Sequence, residues 1–244
     1  MAGESRRAPP WLLDHDPCSE PQPRVGTWIL DRLSRASQAV ASELEQRGLP
    51  LLRAEQVGQR RPTLVQATAL IASVPSLEAV ARCRVGAVFI LDAPADYDIS
   101  HSEPKWPDWI FVSVPEAGGS VAALRAAENI VHEAMHLHLT ALEANQPLVA
   151  DRDAKLFSPW KGEPRDAQGI LHGLYVFECI AEFFRRLDAT FTDCEGRSYV
   201  RRRLTQIETE MGQVDLYALE SILTSSGRRF LRRLHGAVER GLPM

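Results

Sequence analysis

The chain has no apolar run approaching the roughly 20 residues that a membrane-spanning helix needs, and Met1 to Pro23 lack the apolar stretch of a secretory signal. A cytoplasmic protein with no membrane partner is the expectation. Cysteine is scarce: Cys18, Cys83, Cys179 and Cys194 are the four present, and none forms a C-x-x-C pair. That spacing argues against a zinc knot or a disulfide framework and predicts free thiols. Neither sign of charge dominates, with 28 Lys plus Arg against 32 Asp plus Glu and a net charge of −4, which argues against general nucleic-acid binding. No internal repeat is found. With 244 residues the chain is ample to bury a core.

What is present is mostly helical periodicity. Residues 1–24 are rich in Pro and Arg around a short Trp11-Leu12-Leu13 patch and predict a flexible N-terminal arm. Residues 25–244 then read as a single catalytic domain: a helical lobe over 25–84, a sheet and metal-site core over 85–190, and C-terminal helices over 191–244. In the lobe, Trp28, Ile29, Leu33, Ala36, Val40 and Leu44 predict one helix from Thr27 to about Arg47. Two more are expected, one starting after Pro62 and ending at Ser73, the other from Ser76 to Arg82. Val85 to Leu91 and Trp109 to Val114 are short β-branched and aromatic runs bounded by turn residues, and they predict strands. The polar, Pro-containing connection through Asp98 and His101 reads as a loop over one edge of a small antiparallel sheet. Such an edge beside a metal-binding helix is suited to receive an extended peptide as an added strand.

The chemistry concentrates in a helix expected from Ser120 to about Ala144. His132, Glu133 and His136 form H-E-x-x-H. At 3.6 residues per turn, positions i and i+4 share a face, so two imidazoles can grip one cation while the adjacent Glu is placed beside it. Ile130, Val131, Ala134, Met135, Leu137, Leu139 and Leu142 surround the motif, so the helix is expected to be buried nearly all round. Imidazoles held there need partners, and a metal supplies one. The bland alternative is a pair of core histidines satisfied by backbone carbonyls. His138 lies two residues past His136 and points elsewhere.

A catalytic metal normally takes three protein ligands. His172, after a Pro/Gly-rich loop and in the opening turn of a helix that continues through Phe184, is the first candidate. Glu178 and Glu182, four apart on the same predicted helix, are the alternatives, as the carboxylate of a 2-His-1-carboxylate site or of a Glu-type zinc site. Farther on, Tyr199 to Met211 and Leu216 to Arg240 predict two helices studded with arginines, solvated faces that also suit an acidic leader segment of a peptide. The fold class is therefore α+β, predominantly helical, with a small sheet on a central H-E-x-x-H helix; a zincin-like arrangement fits that description.

The H-E-x-x-H helix, then Ser158-Pro-Trp-Lys161, then Pro164-Arg165, then Gly169-Ile-Leu-His172-Gly-Leu-Tyr-Val-Phe177, together resemble the HExxH-type peptide-modification family of ribosomal peptide clusters. The resemblance covers about Trp109 to Phe184. It implies an oxidoreductase, an iron(II) and 2-oxoglutarate-dependent dioxygenase that hydroxylates a peptide β-carbon. His132, His136 and His172 become the metal ligands and Arg165 the co-substrate cation. Lys161 is the second choice for that cation, with Ser158 or Ser113 as hydroxyl donor. Two positions depart from the family pattern: Lys161 and Asp166 stand where Arg and Pro are expected, and Lys offers a point charge in place of a bidentate fork.

Two other classes compete. In a zinc metallopeptidase the same histidines hold Zn(II), and Glu133 is the general base that takes a proton from the attacking water. Leu139 and Leu142 occupy the places of the Gly and His of the longer H-E-x-x-H-x-x-G-x-x-H pattern, which weighs against one branch of that class. In a non-catalytic peptide-binding module the metal is structural only.

Overall fold

A computed structural model describes residues 28–240 apart from 117, 189, 190 and 192, with side chains to residue 236. The expected N-terminal arm lies outside the described residues.

The first predicted helix is two. Helix α1 is one turn, Trp28–Asp31, and α2 runs Gln38–Gln46. Between them the chain turns extended, because Arg32 donates to the carbonyls of Arg82 (2.6 Å) and Val85 and Leu33 forms a bridge to Val88. Ser37 then restarts the helix by accepting from the Val40 N–H. Helix α3 starts earlier than expected, at Ala54, and continues to Ala72 with Pro62 inside it. Pro62 and Gly58, whose carbonyl would have accepted the missing N–H bond, are both exposed. Water can therefore satisfy that carbonyl, and the proline does not end the helix. Helix α4 spans Pro75–Arg84.

Three strands follow: β1 (Ala87–Leu91), β2 (Ser100–Glu103) and β3 (Trp106–Ser113). Their order is β1-β3-β2. β1 and β3 run parallel, in register from Ala87↔Trp109 to Leu91↔Ser113, whereas β2 pairs antiparallel with β3 and carries an irregularity between His101 and Glu103. Alternation explains why β1 reads as a continuous apolar run. Val88, Ile90, Ile110 and Val112 join the main core, while Phe89, Leu91 and Phe111 join a smaller cluster with Leu44 of α2. Both faces of the sheet are thus covered.

Helix α5, Ser120–Asn145, has Ala126, Ala127, Ile130, Val131, Ala134, Met135 and Leu139 fully buried. It lies against the sheet and α3. Ser120 is its first residue and donates to Asp193 instead of capping; Gly119, at φ 112, is the cap position. A hairpin of β4 (Lys155–Ser158) and β5 (Glu163–Asp166) leads directly into α6 (Ala167–Asp188). Its turn closes through Gly162, whose φ of 68° suits a residue without a side chain. Helices α7 (Cys194–Met211), α8 (Leu216–Ser221) and α9 (Ser225–Arg240) complete the chain. The expected single C-terminal helix is split, since Thr224 accepts from the Gly227 N–H and starts α9 afresh.

The fold is predominantly helical α+β, as expected, but the three-stranded sheet is mixed where an antiparallel one was expected, because β1 runs parallel to β3 and only β2 is antiparallel. One apolar cluster runs from Trp28 to Leu234 and includes residues of the lobe, the sheet-and-site core and the C-terminal helices. Cys179 and Cys194 are free thiols, but Cys83 is disulfide-bonded, contrary to expectation. Absence of C-x-x-C spacing excludes a local knot and says nothing of a bridge between distant residues. Among the described residues no helix is long and apolar enough to cross a membrane.

Candidate functional site

The sequence places His132 and His136 one turn apart on α5, and the fold directs both to a cleft of about 570 Å³. Their ring centroids are 4.8 Å apart. His172, on the second turn of α6, stacks beside His136 at 5.6 Å, and the Nδ1 atoms of these two rings approach to 3.3 Å. Two imidazole nitrogens bound at roughly 2.1 Å to one metal lie about 3.0–3.4 Å apart for octahedral or tetrahedral angles. The His136–His172 pair therefore already has ligand spacing. Among the described residues no three His, Cys, Asp or Glu side chains converge as a complete coordinating set.

Both motif imidazoles are neutral near pH 7. Desolvation drops His136 to about 3, with His132 adding to the effect and Glu133 opposing it. His132 falls to about 4, again chiefly by desolvation and then by the charges of Lys161 and Arg203. His132 keeps 26% of its side chain exposed and lines the cleft. Neutral imidazoles are the metal-binding form. The wall against His132 is aromatic: Phe177 meets it edge-on at 5.6 Å, and Trp160 stacks on Phe177 at 5.2 Å. Trp160 can lie there because residue 173 is glycine; a Cβ at Gly173 would come within 2.8 Å of the indole.

Glu133 is buried beside His132, with Oε1 3.9 Å from its Nε2, and Oε2 accepts a 2.5 Å hydrogen bond from Ser102 of β2. The sequence signal for β2 was weak: Ser-His-Ser-Glu is a polar strand followed at once by Pro104 and reads as loop. Glu143 was also overlooked as a site residue. It accepts from His172 Nε2 and from Gln168 Nε2, both at 2.7 Å. Its position seven residues after His136 puts it on the same helical face, and that spacing was the available clue.

The other expected residues divide. Ser158, Lys161 and Arg165 line the cleft. Lys161 has no ion-pair partner among the described residues, and its charge is felt by His132. Arg165 is about half exposed and pairs with Glu163 at 3.3 Å. Ser113 is not among the residues lining the cleft. It is buried on β3, where its Oγ accepts from the Ile99 N–H and from Asn129. Asp98 pairs with Arg125. His101 lines the cleft but is tied to Arg47 and Glu103. His138 is buried and accepts from Arg84.

Glu182 pairs with Arg186 and Arg185, and Glu178 accepts from Arg185 at 3.1 Å. Neither lines the histidine cleft; Glu178 borders a separate apolar cavity of about 250 Å³ beneath Leu174, Met211 and Leu231. Burial, opposed by Arg185, raises the Glu178 carboxyl from 4.5 to about 7, and its Oε2 is buried without a partner. The folded chain holds this proton more tightly than the unfolded chain does. Its stabilising contribution is thus present below about pH 4.5, is lost as the pH rises, and is gone above about 7. Glu178→Gln removes that dependence. The variant is expected to match the parent in melting temperature near pH 5 and to exceed it at pH 8 by on the order of 2–3 kcal/mol of stability, since Arg185 keeps Glu182 and Glu208 within 3.8 Å. Thermal melts across that range check it.

No protein-family model and no curated protein matches the chain.

Proposed function

We propose that this chain is an iron(II)- and 2-oxoglutarate-dependent peptide oxygenase, acting in the cytoplasm, that hydroxylates the β-carbon of a residue in a ribosomally made peptide. The observation that carries the reading is the 3.3 Å approach of the His136 and His172 Nδ1 atoms from two helices, beside His132, the first histidine of the H-E-x-x-H turn. His132, His136 and His172 would hold the metal, and a three-ligand site leaves positions for a chelating 2-oxo acid and dioxygen. When bound, iron(II) with 2-oxoglutarate supplies dioxygen activation and hydrogen abstraction from the substrate carbon.

The chain's own residues supply recognition and shape. Lys161, without an ion-pair partner among the described residues and close enough to depress His132, is the cation for the far carboxylate of the co-substrate. Ser158 gives a hydroxyl on the same rim, and Arg165, already engaged by Glu163, is the second cation. Trp160 and Phe177 keep water from one side of His132. Glu133, hydrogen-bonded by Ser102, orients groups at the centre without an obligatory proton transfer. The edge of β2 offers backbone groups to an extended peptide.

A second reading, a zinc peptidase, is favoured by one observation: Glu133 lines the cleft next to His132, where a general base belongs. Anaerobic iron(II) reconstitution separates the two. The oxygenase consumes 2-oxoglutarate and dioxygen, and Glu133→Gln is expected to retain a measurable part of that turnover. Zinc-dependent peptide cleavage abolished by Glu133→Gln would establish the peptidase instead. Failure to bind either metal saturably would remove both.

A further inference from the structure

We infer that Glu143 is a positioning residue that fixes the tautomer and ring orientation of His172, so that His172 presents Nδ1 to the metal. This rests on the metal-centre reading above. A carboxylate only accepts hydrogen bonds, so the 2.7 Å contact to Glu143 Oε2 requires the proton of His172 to sit on Nε2. The lone pair is then on Nδ1, the atom that faces His136 Nδ1 at 3.3 Å. Gln168 donates to the same Oε2 at 2.7 Å and holds the carboxylate in place.

The location argues against a merely solvated acid. Glu143 stands in the last turn of α5, at the negative end of the helix dipole, which disfavours a carboxylate. No Lys or Arg pairs with it among the described residues, and only 8% of its side chain is exposed. Its compensation comes from His172 and Gln168. A histidine ligand that gives its distal N–H to a carboxylate is fixed in orientation and made more basic. His132 and His136 have no such partner among the described residues, so the effect is confined to the ligand that comes from the second helix.

The test is titration of the full-length, metal-free protein with cobalt(II) alone, followed by visible absorption, for the parent, Glu143→Ala, Glu143→Gln and Gln168→Ala. Glu143→Ala is expected to weaken cobalt(II) binding about 10–100-fold and to alter the visible spectrum, because His172 no longer has a fixed ring. Glu143→Gln, whose amide oxygen still accepts the Nε2–H, is expected to lose less and to keep the parent spectrum; Gln168→Ala falls between the parent and Glu143→Ala. Should Glu143→Ala not fold, a reproducible affinity loss in Glu143→Gln, with unchanged metal-free melting, carries the test. Parent-like affinity and spectrum in both Glu143 variants would overturn the positioning role while leaving the metal centre standing. A parent protein that does not bind cobalt(II) would overturn the metal-centre reading, and this inference with it.

Discussion

Replacing His172 by alanine is expected to lower metal affinity by more than the roughly 10–100-fold typical of losing a partner one layer out from the metal, and to abolish 2-oxoglutarate turnover. The argument is geometric. His172 is the one His, Cys, Asp or Glu of α6 that lines the cleft, since Glu178 and Glu182 are held by arginines. Without it only the two α5 imidazoles remain. Metal-dependent thermal stabilisation gives an independent readout, because a ligand that binds only the folded state stabilises it by an amount that grows with the logarithm of one plus the ratio of free ligand to Kd. The parent should shift upward with iron(II) under anaerobic conditions, and His172→Ala should not. Glu178→Ala is the control: it alters a buried carboxylate on the same helix and should leave the metal-induced shift intact.

The largest effect on the metal-free protein is expected at Arg203. This side chain grips Glu128 of α5 through Nε and Nη2, and Tyr199 donates to the same carboxylate at 2.9 Å. Both ends of the pair are mostly buried, at 18% and 12% side-chain exposure. Arg203→Ala would leave Glu128 with Tyr199 alone in a desolvated place, which costs about 3–5 kcal/mol. For a chain of this size that corresponds to a fall in melting temperature of roughly 6–20 °C. The joint replacement Glu128→Met with Arg203→Met should recover much of the loss, since no uncompensated charge remains. Calorimetry of the three metal-free variants decides it. Glu128 sits one turn before His132, so the same ion pair anchors the helix face that carries the candidate site.

Much of the site was legible because its signals are local. The i, i+4 histidines on an apolar helix fix a shared face from sequence alone, and the Pro/Gly-rich stretch before His172 correctly suggested a second element turning back toward the first. What was not legible depended on long-range pairing. β2 has no apolar alternation of its own and exists because β3 offers it a partner, with Ser102 turned to Glu133. Ser113 looked like an available hydroxyl, but it lies on β3 and is taken up by Asn129 and the Ile99 N–H. The helix predicted across residues 32–37 is interrupted by bonds from Arg32 to carbonyls some fifty positions away. Pro62 misled in the other direction, since a proline on an exposed helical face costs less than one in the interior of the core. Thr224 and Ser225, ordinary cap residues, were passed over because the apolar spacing on either side of them suggested one continuous helix.

The contact between Trp160 and Gly173 ties two positions thirteen residues apart into one unit. The indole occupies the volume that any side chain at 173 would need, and it in turn backs the ring that backs His132. Related chains in which position 173 acquires a methyl group or more should therefore show a smaller residue at 160, and the aromatic wall would be lost from both elements together. The two sites are free to drift only as a pair.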